Sequence, residues 1–95
     1  MSISSIRQLA SPIFKKYGVS RASLFGSVVR GDIHKKSDID ILVEVPKGTT
    51  LFDMVGIKID LEESLKKKVD LVEYKGIKPA LKNNILSSQL PIYSS

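Results

Sequence analysis

The chain has 95 residues, a formal net charge of +5 and no cysteine. This length predicts one domain, residues 1–95, and the ordinary share of charged residues, 26%, excludes a mainly disordered or fibrous chain. The lack of cysteine excludes disulfides, thiolate zinc sites and thiol chemistry. No apolar run approaches the ~20 residues of a membrane-spanning helix and no secretion signal is visible, so we expect a cytoplasmic protein.

The charges are unevenly distributed along the chain. Residues 1–37 carry seven basic side chains and one acidic one, whereas residues 38–74 carry five basic and nine acidic ones. Residues 75–95 add three lysines. The positive total favours an anionic partner such as a nucleic acid or a phosphate, and the acidic middle needs an explanation of its own.

Hydrophobic spacing predicts that helices and strands alternate from the N-terminus onward. A first helix begins after Ser5 as N-cap, presents an apolar face as far as Tyr17 and ends at Gly18. Pro12 lies inside this segment and either kinks the helix or starts a second short one. A first strand follows over residues 19–25.

The alternation continues through the rest of the chain. Ser27 caps a short helical turn, a second strand covers residues 39–45, and Thr50 caps the next helix. The apolar face of that helix comprises Leu51, Met54, Val55, Leu61 and Leu65. The remaining elements are a third strand over 69–74, a last helix from Pro79 and a tail or edge strand over 90–93. This order predicts an α/β fold, with a small mixed β-sheet of three to four strands flanked by helices.

Two acidic residues, Asp38 and Asp40, open the otherwise apolar second strand. Side chains two positions apart in a strand stand on one face, about 6.6 Å from each other, and Ile39 between them points to the core. Like charges this close repel each other, and a bound divalent cation relieves the repulsion. Hard oxygen ligands of this kind suit Mg²⁺ or Mn²⁺. An ordinary acidic pair at a strand start is the alternative.

Two further features could join this site. Asp70 lies inside the apolar third strand, and it reaches Asp38 and Asp40 if that strand pairs beside the second. Three carboxylates together could hold two metal ions, an arrangement that serves phosphoryl and nucleotidyl transfer. Otherwise, Asp70 is an edge-strand residue that faces solvent. Gly26 and Ser27 can cradle a phosphate at the start of a short helix, and Arg30 can bind the same anion, although Gly-Ser by itself is also typical of a simple turn.

The order and spacing of these residues resemble a known family. Gly26-Ser27, ten intervening residues and Asp38-Ile39-Asp40 match the GS-x10-DxD signature of minimal nucleotidyltransferases, which are small members of the DNA polymerase β-like superfamily. The surrounding segments 24–31, 37–43 and 69–72 agree, and the resemblance covers about residues 5–93. Val28-Val29 is a mild departure, because smaller residues are frequent there, and it removes no ligand.

The resemblance implies a nucleotidyltransferase fold like the polymerase β palm, and transfer of a nucleoside monophosphate, AMP from ATP, with Mg²⁺ as cofactor. Gly26-Ser27 would bind the triphosphate with support from Arg30. Asp38 and Asp40 would hold two Mg²⁺ ions, with Mn²⁺ as the alternative metal. Asp70 would be the third ligand and a candidate base for the acceptor hydroxyl.

The resemblance also implies a partner. Small proteins of this family often act as antitoxins that transfer AMP to a tyrosine of a HEPN-domain ribonuclease toxin. A catalytically idle antitoxin, which neutralises its partner by binding alone, is the alternative. Nucleic-acid binding is disfavoured because Tyr17, Tyr74 and Tyr93 are not spaced as a base-stacking platform. The apolar residues 90–93 are a candidate contact for the toxin or for a homodimer.

The remaining conspicuous residues are interpreted as surface. Lys66-Lys67-Lys68 reads as a solvated helix end, and His34 reads as a solvated loop residue. About twenty residues follow the third strand, which leaves no room for a domain that grips a primer or a tRNA. We therefore expect the acceptor to bring its own surface, and a free polymerase is not expected.

Overall fold

The computed structural model describes residues 2–26, 39–77, 79 and 88–95. These residues form two helices, Ile3–Lys16 (α1) and Leu51–Leu65 (α2), and a 3-10 turn over Tyr74–Gly76. The four strands are Arg21–Phe25 (β1), Ile39–Glu44 (β2), Val69–Glu73 (β3) and Leu90–Ser94 (β4). The predicted turn after Ser27 and nearly all of the predicted last helix lie outside the described residues. Neither described helix is long and apolar enough to cross a bilayer.

Helix α1 begins earlier than the sequence predicts. The Ser2 hydroxyl accepts a hydrogen bond from the Ser5 amide at 3.1 Å, so Ser2 is the N-cap and the expectation for Ser5 was wrong. The helix also continues through Pro12, which excludes a second helix starting there. Pro12 lies on the exposed side of α1, where water can bond the carbonyl that the missing amide leaves without a partner.

Helix α2 begins as predicted, and the side that it turns to the core agrees with the prediction in part. The Thr50 hydroxyl accepts from the Asp53 amide and the Asp53 carboxylate accepts from the Thr50 amide, so a complete capping box starts the helix. Lys66, in the left-handed conformation at φ 57°, ends it. Leu61 and Leu65 are buried and Met54 packs against the core, as predicted, and Ile57 is buried with them. Leu51 and Val55 are exposed, which corrects these two members of the predicted apolar face.

The strands form one mixed sheet in the order β3-β2-β1-β4. β1 pairs antiparallel with β2 and with β4, while β2 and β3 are parallel and are joined through α2. The tail over residues 90–93 is therefore an edge strand, as one reading of the sequence predicts. Ile92 is buried and the Tyr93 ring lies 5.4 Å from that of Phe14, so the apolar side chains of the tail serve this chain's own core.

The two faces of the sheet differ completely. Both helices pack on one face, where alternate strand residues join their apolar side chains in a single core that includes Phe14, Leu24, Ile39, Ile41, Val43, Leu61 and Ile92. The intervening residues of β2, Asp40, Leu42 and Glu44, point to the other face, on which neither described helix packs. We call this second surface the open face; Leu42 at its centre is nevertheless fully buried, whereas Asp40 near its edge is half-buried and belongs to the predicted site.

Candidate active site

Strand register brings two of the predicted carboxylates together. Asp40 on β2 lies opposite Asp70 on parallel β3 and opposite Phe25 on β1. Neighbouring strands are about 4.8 Å apart and paired residues share a face, so Asp40 and Asp70 both project from the open face. The Ile39 amide donates to the Lys68 carbonyl at 2.9 Å, which fixes the register one residue before the pair. The third strand therefore pairs beside the second, which was the condition for Asp70 to lie beside Asp40.

The two carboxylates have different exposure. Asp40 is half-buried between β1 and β3, while Asp70 is exposed because β3 is an outer strand of the described sheet. Ile39 is 1% exposed and belongs to the core, as predicted from alternation. Asp70 thus combines the two readings of the sequence, since it faces solvent on an outer strand and also lies beside Asp40.

Gly26 is the third predicted residue at this position. It follows β1 directly and has φ +75°, a conformation that favours glycine. A Cβ added to Gly26 would overlap Oδ2 of Asp40 and would lie 3.4 Å from its Cγ. The Asp40 carboxylate therefore occupies the space above the Gly26 backbone, and only glycine leaves that space open.

The other predicted site residues, Ser27, Arg30 and Asp38, and also His34, lie outside the described residues. The segment that contains them leaves the sheet at Gly26 and returns at Ile39, so both of its ends are beside Asp40. The assignments of these residues remain predictions.

The donor set of the site consists of oxygen atoms. No group of three or more metal-ligating side chains comes together within residues 2–26, 39–77, 79 and 88–95. Asp40 and Asp70 supply a pair, and Asp38 would join them from the position before Ile39. Carboxylate oxygens are the hard ligands that suit Mg²⁺ or Mn²⁺.

A hydrogen-bonded group on the open face was not expected from the sequence. Tyr74 Oη donates to Gln89 Oε1 at 2.7 Å and accepts from Ser23 Oγ at 2.8 Å, because a phenol has one proton to give. Ser23 is 3% exposed. The group therefore joins β1, the 3-10 turn and the start of β4 across the face. Alternation along β3 places every second residue from Asp70 onward on one face. This pattern could have indicated from the sequence that Tyr74 lies on the face of Asp70.

A second polar group fixes the opposite end of β2. Arg21 Nε donates to Glu44 Oε2 at 3.1 Å, and Ser20 Oγ donates to Glu44 Oε1 at 2.9 Å. The hydrogen bond from Ser20, followed by the charge and hydrogen bond of Arg21, holds the pKa of Glu44 below its ordinary value. The Arg21 guanidinium also lies 4.2 Å from the Tyr74 ring centroid. Together these contacts hold β1, β2 and the 3-10 turn in register.

A cavity of about 210 Å³ lies at this same end of the sheet. Its lining runs from Val43 to Thr49 and from Glu73 to Lys75. Neither Asp40 nor Asp70 contributes to the described lining, because they lie at the other ends of β2 and β3. We therefore place the site at the two carboxylates and not at this cavity.

Comparison with known proteins identifies the family. The family described as polymerase beta nucleotidyltransferase matches residues 8–95. A Methanocaldococcus jannaschii protein named as a "putative protein adenylyltransferase" is 46% identical over 92 residues, which are 97% of this chain and 99% of the relative. The protein adenylyltransferase MntA of Thermococcus cleftensis is 33% identical over 72 residues, covering 76% of this chain and 73% of the relative.

Solved structures share the fold. The structure described as a "putative minimal nucleotidyltransferase" superposes with a TM-score of 0.84 at 33% identity and covers 96% of both chains. A chain from a toxin–antitoxin complex crystallised with AMP-PNP superposes with a TM-score of 0.78 at 21% identity, covering 100% of this chain and 75% of that chain, and so shows the fold alone. With the family match spanning residues 8–95 and a relative 46% identical over almost its whole length, this chain belongs to the polymerase β family as a minimal nucleotidyltransferase.

Proposed function

We propose that this chain transfers AMP from ATP to a hydroxyl of a protein acceptor, a tyrosine of a partner HEPN ribonuclease toxin, and thereby acts as its antitoxin in the cytoplasm. The observation that carries the proposal is the pairing of Asp40 with Asp70 on adjacent strands, with the Asp40 carboxylate over the Gly26 backbone. These two adjacent carboxylates lie on the face opposite the core that the helices cover. They are the ligands that a metal-bound triphosphate requires.

The reaction is an in-line displacement at phosphorus. The acceptor oxygen forms a bond to the α-phosphorus of ATP, the bond from that phosphorus to the bridging oxygen breaks, and pyrophosphate leaves with the electron pair. Asp38, Asp40 and Asp70 would hold two Mg²⁺ ions, or Mn²⁺, and these ions supply charge neutralisation for the triphosphate. Gly26 and Ser27 would bind the phosphates, and Arg30 would add a charged hydrogen bond.

The exposure of Asp70 supports a macromolecular acceptor. Asp40 is half-buried, whereas Asp70 lies on an outer strand where a hydroxyl on another protein can approach it. Asp70 is therefore the carboxylate that we assign to accept the proton of the acceptor hydroxyl. The names of the relatives, which are protein adenylyltransferases, support a protein acceptor, and the toxin–antitoxin neighbours share this fold.

The proposal is tested by label transfer. The chain is incubated with Mg²⁺, α-labelled ATP and a HEPN protein carrying an R-x4-6-H motif from the neighbouring reading frame. We expect wild type to add AMP-sized mass increments to the HEPN protein, and Asp40→Asn to reduce the rate at least ~100-fold with unchanged circular dichroism. Glu63→Gln removes the same charge from exposed α2 and should transfer at the wild-type rate.

The outcomes separate the competing functions. Equal transfer by Asp40→Asn and wild type would contradict the catalytic role of the paired carboxylates. Protection against the toxin by Asp40→Asn that equals that of wild type, without transfer, would instead establish an antitoxin that acts by binding alone. Salt-dependent binding of RNA by the isolated chain, retained in Asp40→Asn, would favour a nucleic-acid-binding protein.

A further inference from the structure

Helix α2 exposes an apolar stripe to solvent. Its members are Leu51, Phe52, Val55 and Ile59, with exposed fractions of 80%, 89%, 46% and 49%. The spacings of three, four and seven residues place these side chains on one side of the helix, and we call them the α2 stripe. The core side of α2 is formed by Ile57, Leu61 and Leu65, so the stripe contributes little to the fold of the single chain.

The α2 stripe is remote from the candidate active site. α2 packs on the helix-covered face of the sheet, whereas Asp40 and Asp70 project from the open face. The N-terminus of α2 also follows the end of β2 that is farthest from Asp40. A protein seated on the stripe would therefore leave the carboxylates accessible.

The stripe is complementary to itself across a two-fold axis. If two α2 helices cross antiparallel with Val55 facing Val55, Leu51 of one copy meets Ile59 of the other, and the reverse contact is identical. Phe52 then lies over Ile59 and over the aliphatic stem of Lys58. The antiparallel arrangement also sets the opposite dipole ends of the two helices side by side, which is favourable.

The charge near the C-terminal end of α2 favours the same arrangement. Glu63 stands four positions after Ile59 and is exposed. A parallel arrangement would place the two Glu63 side chains together, whereas the antiparallel one keeps them at opposite ends of the contact, so this charge favours the antiparallel arrangement.

The area is sufficient for a specific dimer. Since a large apolar side chain has on the order of 150–200 Å² to bury, the exposed fractions leave roughly 450 Å² of apolar surface per copy. Two copies bring about 900 Å² to the contact, and the polar rim extends the total to the ~1,200 Å² at the lower bound of stable interfaces.

We propose that this chain forms a homodimer through antiparallel packing of the α2 stripe, with both active sites facing outward. Sedimentation velocity over a roughly hundredfold concentration range measures the monomer–dimer equilibrium. We expect wild type to dimerise and Phe52→Asp to weaken the dimer at least ~30-fold, the size of a hot-spot loss, while it keeps the stability of the monomer. Leu9→Gln alters an apolar residue of α1 that is 41% exposed and should leave the dimer intact.

A paired introduction of charges tests the geometry. Leu51→Asp or Ile59→Lys alone should weaken the dimer, and the two changes together should restore part of it across the two-fold axis, which non-specific apolar association would not do. A wild-type chain that stays monomeric at all concentrations overturns the proposal. So does a Phe52→Asp variant that loses binding of a HEPN protein without any change in self-association. Asp40→Asn should dimerise like wild type, so this proposal and the proposed function can fail separately.

Discussion

The two faces of the sheet use the same strands for different purposes. In β2, Ile39 and Ile41 are 1% and 0% exposed under the helices, while Asp40 between them stands on the open face beside Asp70. Burial of the apolar set fixes the register, because a shift of one residue would exchange the faces of the whole strand. The comparison teaches that the covered face supplies stability and thereby positions the carboxylates that the open face presents.

The largest effect on stability is expected from the covered face. Leu61→Ala removes a fully buried side chain and should lower the free energy of unfolding by about 2–5 kcal/mol. Leu51→Ala is the matched control in the same helix. It should change the free energy of unfolding by less than about 0.5 kcal/mol when this is measured at high dilution. Urea denaturation measures both, and equal losses would contradict the assignment of the buried side of α2.

Gly26→Ala should damage both stability and the site. Its φ of +75° strains any other residue, and its new Cβ would displace the Asp40 carboxylate. We expect a loss of about 1–3 kcal/mol in stability and at least tenfold weaker binding of ATP with Mg²⁺ by calorimetry. Gly48→Ala is a close control, since its φ is +93° but a Cβ there meets nothing within 4 Å. Gly48→Ala should lose stability only, and weaker ATP binding by it would show that strain alone explains the result for Gly26.

The open face also contributes to stability through its hydrogen bonds. Tyr74→Phe removes the hydroxyl that accepts from buried Ser23 and should cost about 1–3 kcal/mol. Adding Ser23→Ala to Tyr74→Phe removes the donor as well, and the double variant should be destabilised by less than the sum of the single ones. Thermal or urea unfolding of the four proteins gives this coupling, and strict additivity would contradict the contact.

The smallest effect is a pH dependence between the helices. Tyr17 donates to Asp60 Oδ2 at 3.0 Å, and this hydrogen bond, with desolvation, raises the pKa of Tyr17. Because the pKa of Tyr17 is raised in the folded state, the contribution of this hydrogen bond to stability is fully present below the ordinary pKa near 10. That contribution is lost as the pH rises through the folded-state pKa. The difference in stability between wild type and Tyr17→Phe should therefore shrink above about pH 10. A constant difference in denaturation experiments from neutral to alkaline pH would contradict the hydrogen bond.

Much of this organisation could be predicted from local patterns. The capping box at Thr50 and the three main strands follow from residue types and from alternation. The pairing of Asp40 with Asp70 was predicted only on the condition that the third strand lies beside the second, which the structure supplies. These features depend on a few neighbouring residues or on one strand pairing. For the same reason, the apolar segment 90–93 could be read as an edge strand.

The features that escaped prediction depend on the tertiary structure. α2 carries apolar residues around much of its circumference, so hydropathy could not decide whether Leu51 or Ile57 would face the sheet. The hydrogen bonds of Tyr74 join residues far apart in sequence. The start of α1 was misplaced because Ser5 is an acceptable N-cap by residue type, and the hydrogen bond that makes Ser2 the N-cap is seen only in the structure.

The central claim is that Asp40 and Asp70 act as one site for a metal-bound nucleotide. Its most direct test is calorimetric titration of ATP with Mn²⁺ or Mg²⁺ into wild type, Asp40→Asn, Asp70→Asn and the double variant. We predict that each single change weakens binding at least ~10-fold and that the double variant is hardly weaker than the poorer single variant, because either change already breaks the shared site. Wild-type binding by either single variant, or fully additive losses in the double variant, would contradict the claim.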